Sequence, residues 1–162
     1  MTRPFEEIVA EHGLVVMRVL RSVLGFDDAD DAWSETFIAA MRAYPDLRQG
    51  SNIRGWLVTI AHHKAIDQIR KTNRSPRPRD GLPDVAIDDD LAEHGHAGLR
   101  AALARLPPKQ RGAVTYRYLG DLSYAEVAAL LGSSEEAARR SAADGIANLR
   151  KWHRLEGIGE RR

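Results

Sequence analysis

Apolar residues recur every three to four positions through the first half of the chain. Ile8, Val9, Leu14, Val15, Val16, Val19, Leu20, Val23 and Leu24 make one broad helical face, and Gly25 follows as a stop. Asp27 and Asp28 stand where N-caps are wanted. A second helix is expected from about Ala29 to Tyr44, with Ala32, Trp33, Phe37, Ala40 and Met41 at helical spacing and Pro45 closing it. Its acidic start complements the helix dipole. After a polar loop at 46–51, a third helix runs from Ile53 to about Arg74. Its apolar positions are Ile53, Trp56, Leu57, Ile60, Ala61, Ala65, Ile66 and Ile69. Three helices and one core account for residues 1–74.

The regime breaks at Ser75. Pro76, Pro78 and Pro83 cannot continue a helix, and Asp88-Asp89-Asp90 extends the polar stretch. Residues 75–96 are therefore expected to form a flexible acidic linker. Helical spacing resumes at Leu99, Leu103 and Leu106. Pro107-Pro108 ends one helix and starts the next, marked by Val114, Tyr118 and Leu119 and closed by Gly120-Asp121. Ser123 and Glu126 have the spacing of a capping box ahead of Val127, Ala128, Leu130 and Leu131. Gly132 makes a turn, Ser133 or Ser134 caps again, and a last helix runs through Arg150, with 156–162 as a tail. The expected fold class is all-α: a three-helix domain at 1–74 and a second helical domain at 97–155.

Charge sharpens this division. The net charge is only +1, but residues 97–162 carry twelve basic and seven acidic side chains, and residues 75–96 carry two and six. A basic end beside an acidic segment points to a polyanionic partner for the former. The absence of cysteine excludes disulfides and thiolate metal sites and suits a reducing, cytoplasmic setting. No run of apolar residues reaches membrane-spanning length, and the first residues lack the apolar core of a secretory signal.

Residues 122–150 have the pattern of a helix-turn-helix: a short helix, a turn at Leu131-Gly132-Ser133, then a longer helix. Such a motif offers the N-terminal part of its last helix to a major groove, here Ser134, Glu135, Glu136, Arg139 and Arg140. Arginine suits bidentate contact with guanine or phosphate. Gln110 and Arg111, opening the preceding helix, are candidates for phosphate contact. A helical hairpin with no DNA role would leave the same pattern.

Leu106-Pro-Pro-Lys-Gln-Arg111, Tyr116-Arg-Tyr-Leu119 and Leu122-Ser-Tyr-Ala-Glu-Val-Ala-Ala-Leu-Leu-Gly132 together resemble the fourth-region domain of extracytoplasmic-function sigma factors, a branch of the sigma-70 family. The first domain resembles their second region. Asp28-Ala-Asp-Asp31 with Glu35-Thr-Phe37 is similar to the acidic clamp-binding helix. Trp56-Leu57, Ile60-Ala61 and Ala65-Ile-Asp67 with Arg70 are similar to the promoter-melting helix. The resemblance implies a transcription initiation factor. Its partners would be promoter DNA and core RNA polymerase, the latter at the beta-prime clamp and the beta flap. It implies polymerase contact through Asp28, Asp30, Asp31, Ser34, Glu35 and Phe37. It implies contact with the opened downstream promoter element through Arg54, Trp56, His63, Lys64, Asp67, Arg70, Lys71 and Arg74. Contact with the upstream element would fall to Ser134, Glu135, Arg139, Arg140, Gln110 and Arg111. Trp56 could stack on a base, though its spacing favours the core. The linker would also allow an anti-sigma protein to clamp both domains.

Three features depart from the family pattern. Ser34, beside an unusual Trp33, stands where glutamine is usual, and His63 stands where asparagine is common. Ala142, Ala143, Asp144, Gly145, Ile146 and Ala147 occupy positions that are often basic, and Gly145 costs roughly 1 kcal/mol of helix propensity against alanine. A recognition helix so poor in cations keeps two other readings open. One is a stand-alone helix-turn-helix regulator; the other is a sigma-like interaction protein with weakened promoter recognition. His62-His63 and His94-Gly95-His96 lack carboxylates at ligand spacing and read as solvent-exposed, so neither a metal nor a cofactor is expected. No nucleophile elbow or phosphate-cradling glycine loop points to an enzyme.

Overall fold

The computed structural model describes residues 3–74 and 97–160, and among them every regular element is helical. The segment read as a linker, with His94, His96 and the Asp88–Asp90 run, lies outside the described residues. The helices fall into two compact units. The first holds α1 (Phe5–Leu24), α2 (Phe26–Ala43) and α3 (Ile53–Arg74), each packed on the other two. The second holds α4 (Ala97–Arg105), α5 (Pro108–Val114), α6 (Tyr124–Leu131) and α7 (Glu135–Glu160), with α4, α5 and α6 packed against α7.

In the first unit Gly25 ends α1 with φ +86°, the conformation expected of a glycine stop. It also serves as the N-cap of α2, so α2 starts at Phe26 and Asp27 and Asp28 lie in its first turn rather than capping it. Tyr44–Asp46 tightens into a 3₁₀ turn that absorbs Pro45. Asn52 caps α3 by accepting the Gly55 N–H at 3.1 Å. Bulky Ile8, Val16 and Leu20 of α1 meet small Ala29, Ala32 and Ala40 of α2 and Leu57, Ala61 and Ala65 of α3. A file of aromatic rings borders this core: Trp33 lies 4.5 Å from Phe37, Phe37 6.4 Å from Phe5, Phe5 5.5 Å from Tyr44, and Tyr44 6.5 Å from Trp56. Trp33 Nε1–H donates to the Gly13 carbonyl at 2.9 Å. A side chain at Gly13 would stand 3.3 Å from the Trp33 ring, so this tryptophan is a packing element between α2 and α1. Two residues expected on apolar faces, Leu14 and Met41, are instead exposed.

The second unit places its turns where the sequence pattern has them. Pro107 caps α5. Ser123 and Glu126 form a complete capping box, each side chain accepting the other's backbone N–H at 3.1 Å. Gly132 takes the left-handed conformation with φ +65°, and the cap of α7 is Ser134, whose Oγ accepts the Ala137 N–H. Two expectations fail. Thr115–Leu119 is a π-helical turn, whose wider winding shifts the register, so Tyr116 is buried and Tyr118 faces out. The last helix continues through 156–160, which the sequence pattern assigns to a tail; Trp152 therefore sits within it and packs with Leu103, Leu106, Val114, Ile146 and Leu149.

Gly145 sets the spacing between α7 and α5. A Cβ there would lie 2.6 Å from Val114 Cγ2 and 3.4 Å from the Gln110 carbonyl oxygen. Valine is stiff at χ1, so the clash cannot be relieved by a small rotation. Gly145→Ala gains about 1 kcal/mol of helix propensity. It is nonetheless expected to destabilise the second unit by about 1–2 kcal/mol net, because overpacking outweighs that gain. Thermal unfolding of the full chain followed by circular dichroism checks this; a raised Tm would show that α7 does not need the gap.

A pH dependence is built into the first unit. His12 is buried on α1 with Nδ1 unpartnered and Nε2 3.8 Å from Glu11. Burial holds its pKa below the ordinary histidine value; Glu11 opposes that, while Arg54 and Arg3 add to it. The neutral ring is thus favoured in the folded chain. Its contribution is complete above the unfolded histidine pKa and is lost as pH falls towards the lower folded value. Urea unfolding from about pH 7 to about pH 5 is expected to cost the wild-type chain more stability than His12→Gln. Equal losses in both would remove His12 as the cause.

Candidate nucleic-acid interface

One face of α2 is exposed along its whole length. Asp27, Asp30, Asp31, Ser34, Ile38 and Met41 all point outward and fall within an arc of roughly 100° on one side of the helix. The stripe changes from acidic to apolar towards the C-terminus: Ile38 is 47% exposed and Met41 54%. Phe37, expected on this surface, is a core residue held between Trp33 and Phe5. Asp28 is half-buried on the flank of the helix that meets α3, where Gln68 Nε2 reaches its Oδ1 at 3.4 Å.

On α3 the helical repeat puts Trp56, His63, Asp67 and Arg70 within an arc of roughly 60°, with Lys64 and Lys71 on its flank. His63, Asp67, Arg70 and Lys71 are exposed. Arg54 lies on the far side by the same count, and its charge is felt by Glu11 and His12 on α1. It does not share the stripe. Trp56 is half-buried against the core, the role its spacing favours. His62, expected at the surface, is buried because it falls on the core side of the helix, while its neighbour His63 faces solvent. Between α2 and α3, Glu35, Asp67, Gln68, Arg70 and Lys71 line a depression of about 340 Å³. Residues expected to touch different partners therefore share one cleft.

In the second unit Ser134, Glu135, Glu136, Arg139 and Arg140 are all exposed on the first turns of α7. Arg139 Nη2 lies 2.8 Å from Glu135 Oε1; Arg140 is held more loosely, 3.9 Å from Glu136. Lys109, Leu131, Ser133, Ala137, Arg140 and Ser141 surround a depression of about 190 Å³ beside the start of α7. Gln110 and Arg111 are both engaged within the unit. Arg111 is only 8% exposed; its guanidinium donates to the Leu106 carbonyl at 3.4 Å, and burial holds its pKa below the ordinary arginine value. Gln110 accepts from Asn148 Nδ2 at 3.0 Å, which ties α5 to α7. The exposed cation of this segment is Lys109. Of the six cation-poor positions from Ala142 to Ala147, Ala142 and Gly145 are buried and Ile146 packs against the core; only Ala143, Asp144 and Ala147 face out.

Sequence reasoning missed Ile38, Met41, Lys109 and Ser133. The signal for the first two was present, since they continue the phase of Asp31 and Ser34. No group of side chains among the described residues could hold a metal ion, and none of the described helices is long and apolar enough to cross a membrane.

These features define a modular all-helical protein whose second unit carries a capped helix-turn-helix. Residues 8–75 match sigma-70 region 2, and residues 96–149 match sigma-70 region 4. The chain is 32% identical over 152 residues to the RNA polymerase sigma factor CarQ of Myxococcus xanthus, a match covering 91% of this chain and 87% of that one. It is 36% identical over 121 residues to the ECF RNA polymerase sigma factor SigC of Mycobacterium tuberculosis, covering 72% of this chain and 65% of SigC. The chain thus spans a little under two thirds of that relative. Its fold is also that of the sigma factor RpoE of Bartonella quintana, solved with the anti-sigma factor NepR (TM-score 0.76, 22% identity, 93% of this chain and 97% of that one). The chain belongs to the RNA polymerase sigma-70 family, among the ECF sigma factors.

Proposed function

We propose that this chain binds core RNA polymerase and directs it to specific promoters, acting in the cytoplasm by binding rather than by catalysis. The observation that carries this reading is the outward face of α2. An acidic start grading into exposed Ile38 and Met41 has no purpose within the three-helix unit, whose core is already closed on the opposite side. It suits a partner surface with cations beside an apolar patch, as a clamp helix would offer. Asp27, Asp30, Asp31, Ser34, Ile38 and Met41 are its contacts, with Glu35 at the edge.

The exposed stripe of α3 then faces the opened downstream element. Lys64, Arg70, Lys71 and Arg74 follow the backbone, and His63 and Asp67 offer hydrogen bonds to unstacked bases. The first turns of α7 enter the major groove of the upstream element as duplex, with Ser134, Glu135, Arg139 and Arg140 at the front and Lys109 on phosphate. The beta flap is a further contact of the second unit. An anti-sigma protein is a further partner of this chain; its relative RpoE was solved with one.

Run-off transcription with core polymerase on genomic fragments tests the reading, and initiation at discrete sites is expected. DNA binding without any need for polymerase would favour a stand-alone regulator. Polymerase binding without initiation would favour a sigma-like interaction protein. Ile38→Asp combined with Met41→Asp is expected to weaken core-polymerase binding by about tenfold or more with Tm unchanged, since both side chains are exposed. Arg139→Ala with Arg140→Ala is expected to abolish use of the upstream element; normal initiation by that variant would remove α7 as the reading helix.

A further inference from the structure

The two arginines at the front of α7 are adjacent in sequence but are held very differently. The Arg139 guanidinium lies 4.7 Å above the ring of Tyr124, the first residue of α6, and 2.8 Å from Glu135. The Arg117 guanidinium also lies 4.7 Å from that ring and donates from Nη1 to the Leu122 carbonyl at 2.9 Å. Tyr124 is therefore set by its place in the first turn of α6 and by the anchored Arg117 against its ring, and it offers a platform to Arg139. Among the described residues Arg140 has no ring beneath it and only a 3.9 Å approach to Glu136; it stands instead beside Lys109, Ser133 and Ser141.

A guanidinium held in one plane keeps its fork of donors aimed at one place, and less side-chain entropy is lost when the fork binds. Base edges need that aim, whereas a phosphate accepts a mobile cation from many directions. We propose that Tyr124 is a positioning residue for Arg139, with Arg139 the base-reading arginine and Arg140 a phosphate contact. Tyr124 acts through its ring, and Glu135 holds the other side of the same guanidinium. The proposal rests on the reading of α7 as the helix that enters the upstream duplex.

The test uses the full chain bound to core polymerase and a promoter library randomised in its upstream half. The base pairs that the wild-type holoenzyme selects are then varied one at a time. Arg139→Ala is expected to flatten discrimination at one base pair, by about 5- to 150-fold. Tyr124→Leu is expected to lower discrimination at that same pair by about 2- to 5-fold, with binding to unselected sequence unchanged, and Tyr124→Phe to restore it. Arg140→Ala is expected to weaken binding equally for all sequences and to reduce the slope of log affinity against log salt by about 1. Glu135→Gln should share the selectivity loss of Tyr124→Leu, which keeps the test open if the leucine variant folds poorly. Discrimination in Tyr124→Leu equal to wild type would overturn the proposal while leaving α7 as the reading helix. A phenylalanine variant as poor as leucine would overturn the role of the ring. Failure of the wild-type holoenzyme to select any upstream sequence would overturn the underlying reading and the proposal together.

Discussion

At Gly145 the backbone of α7 comes into contact with Val114 and with the Gln110 carbonyl on α5, and the rest of the second unit is arranged around that approach. Ala138 and Ala142 continue the same buried seam towards the start of α7. Gly112 repeats the device on α5, where a Cβ would meet Leu131 Cδ2 at 3.0 Å. With its inner face stripped to small residues, α7 lies flush on α5 and α6. Larger Ile146, Leu149 and Trp152 then close the core further along. A helix seated so closely has little freedom to roll, so its first turns present a fixed set of side chains. The glycine that looks like a defect by propensity alone is what sets the exposed face.

The first unit solves a related problem with alanines. Ala29, Ala32 and Ala40 on α2 let bulky α1 residues reach across, and Phe37 and Trp33 seal one end. Nothing remains on that side for Ile38 and Met41 to pack against, because they lie on the opposite face of the same helix. Isolated exposed apolar residues are ordinary on any surface. Two of them in phase with exposed Asp27, Asp30, Asp31 and Ser34 form a stripe with its own polarity, and that arrangement suits an interface rather than a core.

The helices were legible in the sequence wherever side-chain period and backbone punctuation agreed. Gly25, Pro107, the Ser123–Glu126 box and Gly132 each act locally, so local reading found them. Contacts that depend on three-dimensional approach were not legible. The π-helical turn exchanged Tyr116 for Tyr118 as the buried tyrosine, because one extra residue in a turn rotates everything after it. Arg111 looked like a surface cation and is buried, since the start of α5 turns inward beneath Leu106. Spacing put both Phe37 and Met41 on the apolar face of α2, and the family resemblance set Phe37 among the polymerase contacts; the structure buries Phe37 and exposes Met41. A helix with apolar residues on two faces has no single period to follow. The stripe on α3 needed only the helical repeat, apart from Arg54, which lies half a turn away from it.

The scarcity of cations on α7 takes on a different meaning once the exposed positions are sorted from the buried ones. Three of the six residues that seemed to replace basic ones are part of the seam, and no cation could stand there. What remains at the front is Arg139, already paired with Glu135, and Arg140, loosely placed beside Glu136, with Asp144 exposed on the next turn. The Glu135 pair is exposed and worth little in itself, and it occupies only the Nη2 end of the Arg139 fork. The acids around it still lower the local potential and weaken non-specific attraction to DNA. Low general affinity with a well-aimed fork favours discrimination over grip. The grip then has to come from elsewhere in the same chain. Under the function proposed above, a second module bound to a shared assembly would supply it, since tethering raises the effective concentration of α7 at its site without any further contact. On this argument the sparse recognition helix and the well-developed face of α2 are two halves of one arrangement, the second making the first sufficient.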